Sequence, residues 1–143
     1  MTYGGRFNSP GIPVLYLAAT EAVAILESRV HNPRLNHLPR TLHHIEIPNT
    51  HVQTPAALGL ALPSDWNLVP FPVSSQQFGD TWLTSIASLA LKVPSVPGGA
   101  DGNVLVNPAH PDFHRLVKVV GGRPFQFDKR LYKRTTAKRP GPK

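Results

Sequence analysis

A cation, a phenol and a carboxylate follow one another closely near the start of this chain. Arg6 stands in Gly4-Gly5-Arg6-Phe7-Asn8-Ser9-Pro10-Gly11, Tyr16 comes ten residues later, and Glu27 eleven after that. Glycines let a backbone approach a ligand closely, and a guanidinium fork binds phosphate bidentately. A tyrosine ring stacks on another aromatic ring, and a fixed carboxylate stabilises a developing carbocation. Ser95, in Val93-Pro94-Ser95, is a fourth candidate. It falls just past a predicted strand end, where small polar residues commonly face a cleft. The same position also suits a turn-former ahead of Pro97-Gly98-Gly99.

Glu27 breaks a local rule. It falls in the last turn of a predicted helix, facing the negative end of the dipole, a placement that costs roughly 0.3–1 kcal/mol. It also borders an apolar stripe, where a lone charge is costly unless paired. Two readings stay open: a surface salt bridge with Arg29 or Arg34, or a functional carboxylate kept ionised by a fixed cation, with Arg6 the candidate. Arg6 after Gly-Gly does not form a nucleotide-hydrolase phosphate loop, because the glycine spacing, the Lys-Ser/Thr pair and the following helix are missing. Tyr16 alone reads equally as a core residue with a satisfied hydroxyl.

Other chemistries find less support. His43 and His44 are neighbours on a strand and point to opposite faces, so they do not share an ion easily. His110 and His114 straddle a loop-to-helix boundary, and no third ligand appears at a recognisable spacing. No metal is expected. A hydrolytic triad lacks its Gly-x-Ser-x-Gly elbow.

The elements that must position these residues alternate irregularly. Ile12 to Ala18 reads as a strand, with Val14, Tyr16 and Ala18 on one face and Leu15 and Leu17 on the other. Thr20 is the N-cap of a helix running to about Val30, stopped by Pro33, with Val23, Leu26 and Val30 clustered on one side and Glu21 facing solvent. Thr41 to Ile47 is a second strand. Ala56 to Leu62 is a short helix or turn, and Pro63 to Pro72 a proline-rich connection holding Trp66. Ser74 to Ser85 reads as a helix around Phe78, Trp82 and Leu83, which Gly79 weakens. Ser88 to Val93 is a strand stopped by Pro94, Val104 to Val106 a short strand, and Asp112 to Val117 a helical turn. Lys118 to Val120 and Pro124 to Phe127 are expected to close the sheet as a hairpin through Gly121-Gly122. Sixteen prolines among such elements exclude a helical bundle. With no repeat and no βαβ rhythm, the expected fold is a compact α+β domain with a mixed sheet.

The 143 residues fit one domain. No apolar run approaches the roughly 18 residues of a membrane span, and no basic-then-apolar leader opens the chain. The absence of cysteine excludes a disulfide framework and thiolate metal sites. A cytoplasmic, bacterial protein is the expectation. The net charge of +7 is localised: residues 129–143 hold seven cations and no acid, while residues 1–128 balance eight Lys and Arg against eight Asp and Glu. The excess reads as a mobile tail beyond the folded domain, either merely solubilising or in electrostatic contact with nucleic acid.

Taken together, Gly-Gly-Arg-Phe-Asn-x-x-Gly, the following Val14-Leu15-Tyr16-Leu17-Ala18 and Glu27 near a helix end resemble the RES domain family, which is named for its Arg, Glu and Ser. Gly79-Asp80-Thr81-Trp82-Leu83, Leu91-Lys92-Val93-Pro94-Ser95, Asn103-Val104-Leu105-Val106-Asn107-Pro108 with His110-Pro111, and Pro124-Phe125 leading to Phe127-Asp128-x-Arg130-Leu131 agree in order and spacing. The resemblance spans residue 4 to about residue 131, giving a RES domain over 1–128 and a basic tail over 129–143.

The resemblance implies that Arg6, Glu27 and Ser95 are the name-giving residues and Tyr16 the active-site aromatic, with Arg6, Tyr16 and Ser95 contacting the substrate. Members of the family are toxins of type II toxin–antitoxin systems with a core similar to ADP-ribosyltransferases. They consume NAD as a substrate and need no further cofactor. Activities within the family differ: hydrolysis or phosphorolysis of NAD, and ADP-ribosylation of a protein. The implied partner is an Xre-type antitoxin that covers the active site and supplies the only route to nucleic acid; a homodimer is compatible. Two departures stand out. Phe7 occupies a position where Trp is common, and the motif begins at residue 4, although members usually carry a further segment ahead of it. The start therefore lies upstream, or an edge strand is missing and the chain is an inactive RES-like binding module.

Overall fold

The computed structural model describes residues 3–31 and 38–131. Strand β1 (Leu15–Ala18) leads into helix α1 (Glu21–His31), followed by β2 (Arg40–Glu46) and the short β3 (Val52–Gln53). Helix α2 (Val73–Ser85), β4 (Ala90–Ser95), β5 (Gly99–Val106), the single-turn α3 (Phe113–Leu116) and β6 (Lys118–Phe125) complete the order. A four-stranded mixed sheet runs β1-β5-β4-β3, antiparallel except for the β3–β4 pair, and β2 with β6 forms a separate antiparallel ribbon. This is the expected α+β architecture with a mixed sheet.

In the central strand β4, Ala90, Leu91 and Val93 are buried while Lys92 is exposed, and the alternation of the buried residues divides the core. Leu91 and Val93, with Leu105 of β5, meet Phe78, Trp82 and Leu83 of α2 together with Phe7 and Val14. Ala90 and Val106 face the other way, toward Phe113, Leu116 and Val117. The fully buried Trp82 donates its indole N–H to the Ser88 hydroxyl at 2.9 Å, so its one polar atom is satisfied. Gly79, which weakens α2 on propensity, has a packing reason. A Cβ there would lie 1.9 Å from the Phe7 carbonyl oxygen, so the helix accepts the segment around Phe7 only where it has no side chain.

Helix α1 begins as expected, with the Thr20 hydroxyl accepting from the Val23 N–H at 3.3 Å and Glu21 in the first turn. Its expected apolar stripe is only partly buried: Val23 is inside, while Leu26 and Val30 are exposed. Pro33 and Arg34 lie outside the described residues.

Two strand expectations are corrected. β4 does not stop at Pro94 but continues to Ser95. Proline removes a ladder donor, and the chain tolerates it because β3 pairs only with Ala90 and Leu91 while the register against β5 shifts between Val93 and Ser95. The hairpin through Gly121-Gly122 does not form, nor does this segment close the main sheet. Residues 118–125 are one strand, with Gly121 and Gly122 opposite His44 and His43 of β2. A Cβ on Gly122 would lie 3.1 Å from the Leu42 carbonyl oxygen and 3.2 Å from His43 Nδ1. The glycine therefore serves close strand approach instead of a turn.

Past residue 128 the chain makes a 3-10 turn at Lys129–Leu131, whose Leu131 carbonyl accepts from Arg29 Nη2 at 2.8 Å. The remainder of the basic tail, residues 132–143, lies outside the described residues.

Candidate active site

The Gly-Gly-Arg turn is clamped onto α2 before it reaches the site. Gln76 donates to the Gly5 and Asn8 carbonyls at 3.1 and 3.2 Å, and Asp80 accepts from the Ser9 N–H at 2.9 Å. Inside the turn, the buried Asn8 carboxamide accepts from the Gly5 N–H at 2.9 Å and donates to the Ile12 carbonyl at 2.9 Å. The Tyr16 hydroxyl closes this network, accepting from the Phe7 N–H and donating to Asn8 Oδ1, both at 2.9 Å. A Cβ on Gly5 would lie 2.6 Å from that hydroxyl, so only glycine leaves room for the phenol.

The clamp explains the electrostatics of Tyr16. Although its side chain is partly exposed, burial of the hydroxyl pushes its pKa up to about 12, against the opposing pull of the Phe7 N–H and the Arg6 charge. The phenol is therefore a neutral donor at physiological pH.

Arg6 donates Nη1 to the carbonyls of Trp66 and Leu68, the latter at 2.9 Å, and its guanidinium lies 5.8 Å from the centre of the Phe71 ring. Burial lowers its pKa, and the negative field of Glu27 offsets that in part. The side chain stays cationic. The proline-rich connection thus supplies the carbonyls that aim the arginine.

Glu27 reaches in from α1, and three side chains touch it. Ser95 donates its hydroxyl to Oε1 at 2.8 Å, and Asn103 donates Nδ2 to the same oxygen at 2.6 Å. His31, one turn further along α1, places Nε2 3.2 Å from Oε2. Of the two readings of Glu27, the salt bridge to Arg34 lies outside the described residues, and Arg6 acts on the carboxylate through its charge. Arg29 bonds the Leu131 carbonyl instead of Glu27, and Arg6 makes no hydrogen bond or ion pair with Glu27 among the described contacts. Ser95 fits its turn-former reading, since its oxygen also accepts the Gly98 N–H at 2.8 Å, and not the cleft-facing one, since it does not line the cavity described below.

All these groups converge. A cavity of about 910 Å3 is lined by Arg6, Tyr16, Glu27, His31 and Asn103, with apolar walls from Val30, Val69, Phe71 and Val96. Such a volume suits a ligand of dinucleotide size, and the mixture of apolar wall with few convergent polar groups is that of a small-molecule site. Ser95 stands behind Glu27, buried. Among the described residues no group of three His, Asp or Glu side chains could hold a metal ion. His44 instead contacts Glu21, and His110 accepts from the Asp112 N–H. No helix among those residues is long and apolar enough to cross a membrane.

Asn103, His31 and Asn8 were not singled out from sequence. His31 carried a usable signal, its i, i+4 spacing from Glu27. Asn103 and Asn8 lay inside motif stretches without any feature that separated them from structural asparagines. The carbonyls of Trp66 and Leu68 have no sequence signal at all.

The RES domain family model matches residues 1–128. The chain is 35% identical over 131 residues to a protein named Toxin Res from Yersinia enterocolitica, covering 91% of this chain and 85% of that protein. It is 36% identical over 137 residues to the Prs ADP-ribosylating toxin of a Sphingobium species, covering 92% and 82%. In structure it is similar to a chain of the M. tuberculosis MbcT–MbcA toxin–antitoxin complex, with a TM-score of 0.54 over 87% of this chain and 73% of that one. At 17% sequence identity that likeness carries the fold alone.

Proposed function

We propose that this chain, which belongs to the RES domain family, is the toxin of a toxin–antitoxin pair and acts by cleaving the nicotinamide–ribose bond of NAD. The reading rests above all on one observation: the Glu27 carboxylate is held by Ser95 and Asn103 at the edge of a cavity that Arg6 and Tyr16 also line. Relatives named as toxins, one of them ADP-ribosylating, point the same way.

Nicotinamide leaves as a neutral base from a cationic nitrogen, so departure needs little acid help. The barrier lies in oxocarbenium character on the ribose, as in glycoside cleavage. Glu27 beside the ribose stabilises that charge more in the transition state than in the ground state, which is what accelerates the step. Tyr16 offers its ring to the nicotinamide while its hydroxyl stays tied to Phe7 and Asn8. Arg6, anchored through Nη1, turns the rest of its fork to the pyrophosphate. Ser95 orients the carboxylate and is not placed as a nucleophile, because it is buried behind Glu27 and does not line the cavity.

The test is nicotinamide release from NAD by the purified protein, with and without phosphate. Glu27→Gln should fold normally and lose on the order of a hundredfold or more in kcat. If the variant releases nicotinamide at the parental rate, the assignment of roles is wrong. Stimulation by phosphate identifies phosphorolysis, and indifference to it identifies hydrolysis. The 36% identity to a protein named for ADP-ribosylation favours a second reading, transfer to a protein side chain. It predicts that labelled ADP-ribose becomes acid-precipitable only when a target protein is supplied. The proposed protein partner is an antitoxin of the Xre type covering the cavity mouth. Its addition should suppress turnover in proportion to complex formation.

A further inference from the structure

We infer that Asn103 is a positioning residue for Glu27, which fixes the carboxylate so that Oε1 belongs to the fold and Oε2 to the ligand. The inference rests on the proposed NAD chemistry for its consequence, and on contacts for its geometry. A glutamate's terminal torsion is broad, so an unrestrained carboxylate presents its oxygens to the cavity over a wide range of angles. Here Asn103 Nδ2 and the Ser95 hydroxyl both converge on Oε1, at 2.6 and 2.8 Å. Two donors on one oxygen hold the carboxylate plane at one angle, with the other oxygen turned away from them.

The two donors are mounted rigidly. Asn103 lies in β5 opposite Ala18 of β1 and Val93 of β4, so ladders on both sides fix its backbone. Ser95 is tied by the Gly98 N–H, and Gly98 is itself cramped: a Cβ there would lie 2.8 Å from a Val23 methyl and 2.9 Å from the Ser95 oxygen. Oε2 has a different setting. Among the described residues its contact is His31, at 3.2 Å, on the last residue of α1 and with a side chain 68% exposed. That partner moves aside readily, whereas the pair on Oε1 does not. Asn103 and Glu27 both line the cavity, so the orientation set by the amide is the one a ligand meets. Both donors are neutral, so they hold the carboxylate without cancelling its charge.

The experiment compares Asn103→Ala, Asn103→Asp and the double variant Asn103→Asp/Glu27→Gln. For N103A, kcat for nicotinamide release should fall about tenfold to a hundredfold with KM within about threefold, as expected when a reacting group is misplaced and binding is kept. N103D keeps the shape of the side chain, loses the donor and sets a second carboxylate against Glu27; it should be slower than N103A and melt at a lower temperature. In the double variant the two groups exchange roles, with an amide at position 27 donating to a carboxylate at position 103. Its melting temperature should therefore return toward the parental value while activity stays lost. A purely packing role predicts the opposite order, with the isosteric N103D close to the parent and N103A worse. That order, or a double variant no more stable than N103D, overturns the inference. If the parental protein releases no nicotinamide, the NAD reading fails by itself, and thermal coupling between positions 103 and 27 still decides whether the clamp exists.

Discussion

The four-stranded sheet and the β2–β6 ribbon are made from the same chain by opposite means. Around the sheet, the polar groups brought inside pair through short, specific hydrogen bonds: Trp82 donates to Ser88, Asn103 and Ser95 donate to Glu27, and Tyr16 donates to Asn8. In the ribbon, β6 is exposed along nearly its whole length, and the ties back to α1 are an ion pair from Arg123 to Glu21, which His44 also contacts, and a hydrogen bond from Arg40 of β2 to the Ser28 hydroxyl at 2.7 Å. Burial makes a hydrogen bond costly to lose, while exposure makes an ion pair cheap to lose. The candidate site is assembled on the sheet side of α1, where geometry is hardest to disturb.

If that contrast is right, the largest loss of stability comes from emptying the sheet's core. Trp82→Ala removes a fully buried indole that packs on Phe7, Phe78 and Leu91 and orphans the Ser88 interaction. The expected cost is about 3–5 kcal/mol, read as a drop on the order of 10 °C or more in Tm. Because Phe7 belongs to the Gly-Gly-Arg turn, NAD turnover should fall with the core well below the new midpoint. A variant that melts within a few degrees of the parent would mean that α2 is not the platform of the site.

A smaller effect is expected where the core meets the cavity. Tyr16→Phe deletes the hydroxyl that serves both the Phe7 N–H and Asn8, at about 1–3 kcal/mol. Its pH dependence is distinctive. The phenol ionises near 10 when unfolded and near 12 in the fold, so its contribution is present in full below pH 10 and is lost as pH rises from about 10 to about 12. Denaturant midpoints of parent and variant should therefore converge across that window. A gap that stays constant up to pH 12 would show that the hydroxyl is not sequestered as described.

The same contrast explains what could be read from the sequence. Strands β1 and β4, the end of β5 and both longer helices were legible because burial on one or two faces imposes a period, and because Thr20 is a good cap; the two-residue β3 is too short to show one, and the start of β5 at Gly99 has no apolar alternation. Arg6, Tyr16 and Glu27 were brought to one cavity as their motif suggested, with Ser95 behind the carboxylate. The ribbon was misread because β6 carries no alternation of burial, and Gly121-Gly122 signals a turn far more strongly than it signals close approach to His43. Val30 and Leu26 were placed inside by periodicity, although Val30 lines the cavity instead of the core. Pro94 reads as a stop because a single sequence does not reveal that the neighbouring ladder has already ended. The two donors to Glu27 Oε1 lay furthest from view: they come from residues 68 and 76 positions away, and only tertiary structure sets such distances.

The weakest expected effect tests the ribbon's ionic tie. Arg123 Nη2 lies 2.5 Å and His44 Nε2 2.8 Å from the Glu21 carboxylate, and their hydrogen bonds, Arg123 first, hold its pKa below the usual value of 4.5. A depressed carboxylate contributes stability above its unfolded pKa and loses it as pH falls through the folded one. Glu21→Gln should therefore lower Tm slightly at neutral pH and not at all once the solution is more acidic than the folded value. Both partners are about half exposed, so salt should shrink even the neutral-pH difference, since the screening length falls from about 8 Å at 0.15 M to about 3 Å at 1 M. Turnover should not change, because Glu21 faces away from the cavity. A difference in Tm that survives high salt would place the ribbon in the same class as the sheet, held by packing, and would erase the distinction between the two halves.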